Sequence, residues 1–208
     1  MNAYEVMKIS PIVPVIAIDK LEDALPLAQA LLEGGINLME ITLRTEAGLG
    51  AIEIISKELP QMAVGAGTVI NAKGFQEAVD HGAQFVFSPG INAELMDISK
   101  TLHIPFIPGV ATASDVMMAQ NGGFFHCKLF PATAVGGIET LKAFGGPFAD
   151  MRFCPTGGIN LGNVKEFLAL PNVLCVGGSW IVPKSAIEKK DFASITRLCK
   201  EALTLINQ

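Results

Sequence analysis

Short apolar runs alternate with amphipathic segments along the whole chain, and this alternation limits the folds open to it. The runs are continuously apolar, which is typical of parallel strands covered on both faces by helical crossovers. Strands are predicted near residues 12–17, 37–42, 62–66, 84–87, 105–108, 124–129, 151–155 and 173–176. Eight such units in 208 residues favour a closed α/β barrel, the (β/α)8 TIM barrel, over an open doubly wound sheet.

One domain is expected. Hydrophobic residues make up 50% of the chain and charged residues 17%, and no linker or charge block divides it. Residues 1–208 are therefore predicted to form a single barrel domain, with residues 1–10 as a short N-terminal helical extension. The apolar stretch 11–18 is too short to cross a bilayer.

Charge and cysteine usage exclude several classes of partner. The net charge is −5 and no basic run occurs, so no electrostatic footprint for nucleic acid is present. Its four cysteines are widely spaced, without a CxxC pair or a histidine at zinc-ligand spacing. We expect a cytoplasmic protein with reduced thiols, no metal, no organic cofactor, and neither nucleic acid nor membrane as a partner.

Lys128 lies inside the apolar run FFHCKLFP, the sixth predicted strand. Burial of an ammonium is costly, and desolvation favours the neutral amine, which is a nucleophile. The alternative is that the aliphatic stem lies along apolar surface while the charged end reaches water or a distant carboxylate. His126 alternates onto the same strand face and is interpreted as a core histidine with a backbone partner rather than a base.

Glu40 is the second charge in an apolar strand, within LMEITLRT. Desolvation favours the protonated carboxyl and suits a general acid/base. The alternative is a structural ion pair with Arg44, four residues later. If Glu40 and Lys128 share one barrel, their titrations belong to the pair.

Barrel enzymes carry their chemistry at the C-terminal ends of the strands. Six unusual residues fall late in, or just after, six different predicted strands, and they are expected to converge at one mouth: Glu40, Thr68, Pro89, Lys128, Thr156 and Ser179. Arg44 follows the second strand, where its guanidinium either holds a carboxylate or lies unpaired on the surface. A threonine such as Thr68, taken alone, is more often a turn residue than a ligand contact.

Two glycine-rich turns end the barrel, PTGGI after the seventh strand and GGSW after the eighth. Barrels frequently bind phosphate at this pair of loops, because glycine lets backbone N–H groups approach the anion. These two glycine-rich turns together therefore predict that the protein binds a phosphorylated ligand.

Taken together and in this order, MEITLRT, GAGTV, SPG, CKLFPA, PTGGI and GGSW resemble motifs of the bacterial 2-keto-3-deoxy-6-phosphogluconate (KDPG) and 2-keto-4-hydroxyglutarate (KHG) aldolases, over essentially the whole chain. The resemblance implies a class I aldolase on a (β/α)8 barrel, usually a homotrimer. Such an enzyme cleaves the phosphorylated keto acid to pyruvate and glyceraldehyde 3-phosphate.

The resemblance also implies a role for each matching residue. Lys128 is the Schiff-base lysine and Glu40 the general acid/base. The remaining matches are Arg44 and Thr68 at the pyruvate portion, Thr156 at the aldehyde face, Gly157, Gly158 and Ser179 at the phosphate, and Pro89 and Phe130 in the pocket wall.

Two departures from the family pattern leave the preference between KDPG and KHG open. Leu129 replaces an aromatic residue beside the lysine, and PATAVGG replaces a more acidic and polar loop. Two other functions stay open as well. One is a phosphate-binding barrel isomerase or epimerase in which Glu40 abstracts a proton α to a carbonyl and Lys128 only polarises the carbonyl oxygen. The other is a non-catalytic sugar-phosphate sensor.

Overall fold

A computed structural model describes all residues from 1 to 208. All strand pairings are parallel. The strands are β1 (Ile12–Ile16), β2 (Leu38–Thr42), β3 (Ala63–Gly67), β4 (Val86–Phe87), β5 (Phe106–Ile107), β6 (Gly109–Val110), β7 (His126–Leu129), β8 (Arg152–Pro155) and β9 (Val176–Gly178). The helices are α1 (Ala3–Lys8), α2 (Ala24–Glu33), α3 (Gly48–Glu58), α4 (Ala72–Asp80), α5 (Ala93–Leu102), α6 (Ala113–Asn121), α7 (Gly137–Phe144), α8 (Val164–Leu168), α9 (Lys184–Glu188) and α10 (Phe192–Ile206).

The strands close into a ring. One sheet has the order β5-β4-β3-β2-β1-β9 and the other the order β6-β7-β8. β5 and β6 are two halves of the fifth barrel strand, separated by Pro108, whose nitrogen carries no hydrogen to donate. Single bridges from Phe153 to Val173 and from Thr156 to Gly177 close the other seam. The predicted α/β barrel is thereby confirmed.

The last predicted strand is displaced along the chain. Residues 173–176 were expected to form it, but regular pairing with β1 begins only at Val176 and runs to Gly178. Val173 forms a single bridge to Phe153, while its backbone N–H donates to Leu170 at the end of the preceding turn. The apolar run predicted a buried segment correctly but could not fix its register.

Polar residues at the strand-to-helix junctions set where several helices begin. Asn71 and Asn92 accept backbone hydrogen bonds from the third residue beyond them and cap α4 and α5. Thr112 and Asp115 form a reciprocal capping box at the start of α6. These side chains satisfy N–H groups that have no partner within the helix. None of the ten helices combines the length and the apolar character needed to cross a membrane.

Two separate apolar clusters hold the barrel together. The larger, of 47 buried residues, lies between the strands and the surrounding helices. The smaller fills the barrel interior below the strand ends: Val6, Met7, Val13, Leu38, Phe85, Phe87, Ile107, Cys154 and Cys175. Because Val6 and Met7 come from α1, the N-terminal helix contributes side chains to the interior of the barrel.

Met7→Ala is expected to lower the free energy of unfolding by about 2–5 kcal/mol, since it leaves a cavity under the barrel. Chemical denaturation measures this change. Lys8→Ala, an exposed position on the same helix, is the matched control and should change stability by no more than about 0.5 kcal/mol. Equal stability of the Met7 variant and the wild type would contradict the packing of α1 into the barrel.

Candidate active site

Lys128 and Glu40 meet inside the barrel. Lys128 lies on β7 beside Cys154 of β8 and Gly109 of β6, and Glu40 lies on β2 beside Gly65 of β3. Nζ of Lys128 donates to Oε1 of Glu40 at 3.0 Å and approaches Oε2 at 3.4 Å. The two side chains are 6% and 1% exposed.

This contact narrows the alternatives that the sequence left open. The charged end of Lys128 does not extend to water and instead reaches a carboxylate distant in the sequence, that of Glu40, against which it is buried. Glu40 pairs with Lys128 rather than with Arg44, which is exposed and makes no ion pair. A buried ion pair that loses one partner leaves an uncompensated charge, so each side chain depends on the other.

The pair is arranged for proton exchange. Transfer of one proton along the 3.0 Å hydrogen bond converts the ammonium and carboxylate into a neutral amine and a carboxylic acid. The amine is a nucleophile, and the acid can protonate a leaving hydroxyl. Low solvent exposure keeps water from competing for either group.

Gly67 at the end of β3 makes room for Glu40. A methyl group at this position would overlap Oε1 of Glu40, the oxygen that accepts the hydrogen bond from Lys128. Gly109 plays a related role on β6, because a side chain there would overlap the backbone of Pro89. Sequence reasoning did not identify either glycine as part of the site, although GAGTV was recognised as a motif.

Aromatic rings surround the lysine nitrogen. Nζ lies 5.5 Å from the ring centroid of Phe87 and 5.5 Å from that of Phe130. Phe130 was predicted as a wall residue, and it is partly buried at the end of β7. Phe87 was not predicted. Its spacing of two residues from Phe85 in FVFS is the signal that would have placed both rings on the inward face of β4.

Arg44 and Thr68 lie on the loops that follow β2 and β3. They line a common cavity of about 590 Å³, which Asn71 and Lys73 also line. Thr68 adopts a φ of +60°, in the left-handed region that a non-glycine residue rarely occupies. Lys128 and Glu40 do not line this cavity, so Arg44 in its present conformation flanks the buried pair rather than touching it. Pro89 is partly buried after β4.

The two glycine-rich turns present free hydrogen-bond donors. Gly157 and Gly158 adopt φ values of +103° and +79°, and their backbone N–H groups donate to no protein acceptor. A side chain at Gly158 would overlap Thr133. Ser179, after β9, is exposed, and its hydroxyl has no protein partner. These N–H and O–H groups can donate hydrogen bonds to an anion bound at the barrel mouth.

Thr156 links the turn to the barrel interior. It is buried, and its hydroxyl donates to the carbonyl of Cys154 at 3.3 Å. Gly177 leaves the space that this side chain occupies, because a methyl group there would overlap the Thr156 hydroxyl. The threonine is thereby held between β8 and β9.

His126 differs from its interpretation as a core histidine. It is half-buried at the start of β7, and its ring makes no backbone hydrogen bond. The ring packs edge-on against that of Tyr4 in α1, with the two ring centroids 5.6 Å apart. Burial, with a smaller contribution from the charge of Arg152, lowers its pKa. His126 therefore belongs to the packing of α1 against the barrel.

The thiols do not compete with Lys128 as nucleophiles. All four cysteines are free and buried. A hydrogen bond in which the Cys175 thiol donates to Cys154, together with the smaller effect of burial, raises the pKa of Cys175 well above its usual range. Burial raises the pKa of Cys199 to about 12. No group of three or more His, Cys, Asp or Glu side chains is arranged to hold a metal ion.

A buried amine within hydrogen-bond distance of a buried carboxyl group, inside an α/β barrel, is an arrangement suited to enzymes that form imines with carbonyl substrates. The sequence profile of the family described as "Aldolase: KDPG and KHG aldolase" matches residues 3–198. The chain belongs to this aldolase family.

Relatives of known name agree with this assignment. The chain is 46% identical to the KHG/KDPG aldolase of Escherichia coli over 202 residues, which cover 97% of this chain and 95% of that protein. It is 50% identical to the 2-dehydro-3-deoxy-phosphogluconate aldolase of Pseudomonas aeruginosa over 192 residues, covering 92% and 87% of the two chains.

Among solved structures, the KDPG aldolase of Legionella pneumophila superimposes with a TM-score of 0.96. It is 48% identical, with 97% of this chain and 98% of that chain covered. That structure holds pyruvate captured at low pH as a covalent carbinolamine intermediate.

Gly67→Ala is expected to slow aldol cleavage by roughly 10²-fold, since the added methyl displaces the Glu40 carboxylate from Lys128. Steady-state turnover measures the effect. Gly146→Ala is the matched control, because the same added methyl there meets only the Ala143 carbonyl oxygen, at 3.8 Å. This control should leave turnover near that of the wild type.

A double variant separates positioning from general damage. Glu40→Gln alone should slow turnover by ~10²–10⁴. If Gly67 acts through Glu40, then adding Gly67→Ala to Glu40→Gln changes turnover little. Losses that multiply in the double variant would show that Gly67 acts by another route.

Proposed function

We propose that the protein is a class I aldolase that cleaves KDPG to pyruvate and glyceraldehyde 3-phosphate, and that it also cleaves KHG to pyruvate and glyoxylate. The observation that carries the proposal is the buried contact of 3.0 Å between Lys128 Nζ and Glu40 Oε1. The names of the relatives from E. coli and L. pneumophila support the same substrates.

Imine formation uses both members of the pair. Glu40 takes a proton from the Lys128 ammonium, and the neutral amine attacks C2 of the keto acid to give a carbinolamine. Glu40, now an acid, protonates the C2 hydroxyl, which leaves as water. The product is an iminium on Lys128 beside a Glu40 carboxylate, so the charges on the pair are restored.

Carbon–carbon cleavage follows from the charge on the iminium. Glu40 accepts the proton of the C4 hydroxyl, and the electrons of the C3–C4 bond pass to the iminium nitrogen. An aldehyde leaves, and a neutral enamine stays on Lys128. Protonation of the enamine at C3 and hydrolysis of the resulting iminium release pyruvate and return the amine.

The strand-end residues would bind the substrate around this centre. Arg44 would hold the keto-acid carboxylate with Thr68 beside it, which requires the exposed Arg44 side chain to swing toward the barrel mouth. Pro89 and Phe130 would form the walls. Thr156 would contact the aldehyde face, and the free donors of Gly157, Gly158 and Ser179 would bind the phosphate.

Two other functions fit the site less well. A barrel isomerase in which Lys128 polarises the carbonyl needs the ammonium directed at the substrate oxygen, whereas here Nζ donates to the base itself at 3.0 Å. A non-catalytic sensor would have no use for a proton-sharing pair that is costly to desolvate. A coupled assay for pyruvate release distinguishes the aldolase from both.

Assembly and location are proposals that rest on the family resemblance. We expect a homotrimer in the cytoplasm. Large exposed apolar side chains such as Ile70, Met117 and Met118 are candidates for burial between subunits.

Pyruvate with borohydride should attach covalently to Lys128. Reduction traps the iminium as a stable secondary amine, and peptide mass spectrometry locates the adduct. Lys128→Met is the control and should acquire no adduct. An unmodified Lys128 in enzyme that is turning over substrate would rule out the imine mechanism.

Ser179→Asp should raise the KM for KDPG by at least about tenfold, because the new carboxylate repels the phosphate. The KM for KHG, which carries no phosphate, should change little. Steady-state kinetics with both substrates provides the test. Equal losses for KDPG and KHG would place the phosphate somewhere other than at this turn.

A further inference from the structure

We propose that Phe87 takes part in catalysis by stabilising the positive charge on the Lys128 nitrogen in the iminium intermediate, together with Phe130. The inference rests on the proposed aldolase function and adds a residue to it. Its starting point is that Nζ has one charged neighbour, Glu40, and two aromatic rings at equal centroid distances of 5.5 Å.

The Phe87 ring is held rigidly in place. It is fully buried at the end of β4, and Phe85 packs against it edge-on, with ring centroids 5.9 Å apart and an interplanar angle of 85°. Phe85 in turn occupies the space that Gly65 leaves on β3. An aromatic ring fixed by its neighbours needs no reorganisation when charge develops beside it.

Charge at the nitrogen changes during the reaction. The ammonium and the iminium are cations, whereas the carbinolamine and the enamine are neutral. Aromatic rings carry negative potential on their faces and attract a cation within about 6 Å of the centroid. Desolvated contacts of this kind change an equilibrium constant by roughly two- to thirtyfold, so the rings would favour the iminium over the carbinolamine.

The rings supply something that Glu40 does not. In each turnover Glu40 alternates between carboxylate and acid, and its attraction for the nitrogen alternates with it. The quadrupole of Phe87 does not change with protonation. It also adds no group that competes with Lys128 or the substrate for a proton.

Stepwise fluorination of the Phe87 ring tests the proposal, because fluorine weakens the face potential with little change of shape. Phenylalanine carrying one, two or three fluorine atoms is incorporated at position 87 of the full-length protein. The readout is the ratio of carbinolamine to iminium at Lys128 in enzyme saturated with pyruvate labelled with carbon-13 at C2, measured by NMR, because only the iminium carries the charge. We expect this ratio to rise with each fluorine, by roughly two- to thirtyfold over the series.

The same series at Phe85 is the matched control. Phe85 is fully buried on the same strand segment and touches Phe87, but its ring does not face Nζ. The ratio of carbinolamine to iminium should be unchanged by fluorination there. A series at Phe130 should show a rise like that at Phe87, since both rings lie 5.5 Å from the nitrogen.

The outcomes separate this inference from the proposed function. A constant ratio of carbinolamine to iminium across the Phe87 series, with the Lys128 adduct still formed, would overturn the role of Phe87 and leave the aldolase mechanism intact. Equal rises at Phe85 and Phe87 would also overturn it, because they would indicate a packing effect. Failure of the unsubstituted protein to form any adduct would instead overturn the aldolase mechanism, and the role of Phe87 with it.

Discussion

The structure of this site depends on one buried ion pair. Lys128 and Glu40 come from strands on different sides of the barrel, and their charged ends meet where almost no solvent reaches. Each charge would be costly to bury alone, and the contact compensates both. Because a single proton separates the ion pair from an amine and an acid, the interaction that makes burial tolerable also prepares the nucleophile.

The surrounding residues can be understood from what this pair requires. Gly67 leaves space for the Glu40 carboxylate, and the thiols of Cys154 and Cys175 fill the barrel interior without offering a strong proton acceptor. Phe87 and Phe130 border the nitrogen with aromatic surface. Below them, Met7 of α1 occupies the inner cluster. The ion pair therefore lies directly against a packed apolar core, and the glycine-rich turns lie at the strand ends.

Much of the fold could be predicted from the order of the apolar runs, because continuous runs separated by helical segments suit few architectures other than parallel α/β folds. The details that were wrong or missed depend on local geometry. Pro108 divides the fifth strand because it lacks an N–H group, and β9 begins at Val176 rather than at residue 173. His126 packs on Tyr4, a residue far away in the sequence, so its surroundings could not be deduced from its own strand.

The order of residues was enough to predict that this chain forms a barrel, that Lys128 and Glu40 lie in apolar strands, and that glycine-rich turns follow the last two strands. Strand periodicity and the cost of burying a charge are local properties, so they can be assessed from one sequence. The pairing of Glu40 with Lys128 instead of Arg44, and the positions of Phe87 and Gly67 beside that pair, depend on the folded barrel. These contacts join residues from β2, β3, β4 and β7, and they exist only once closure of the barrel fixes the strand register.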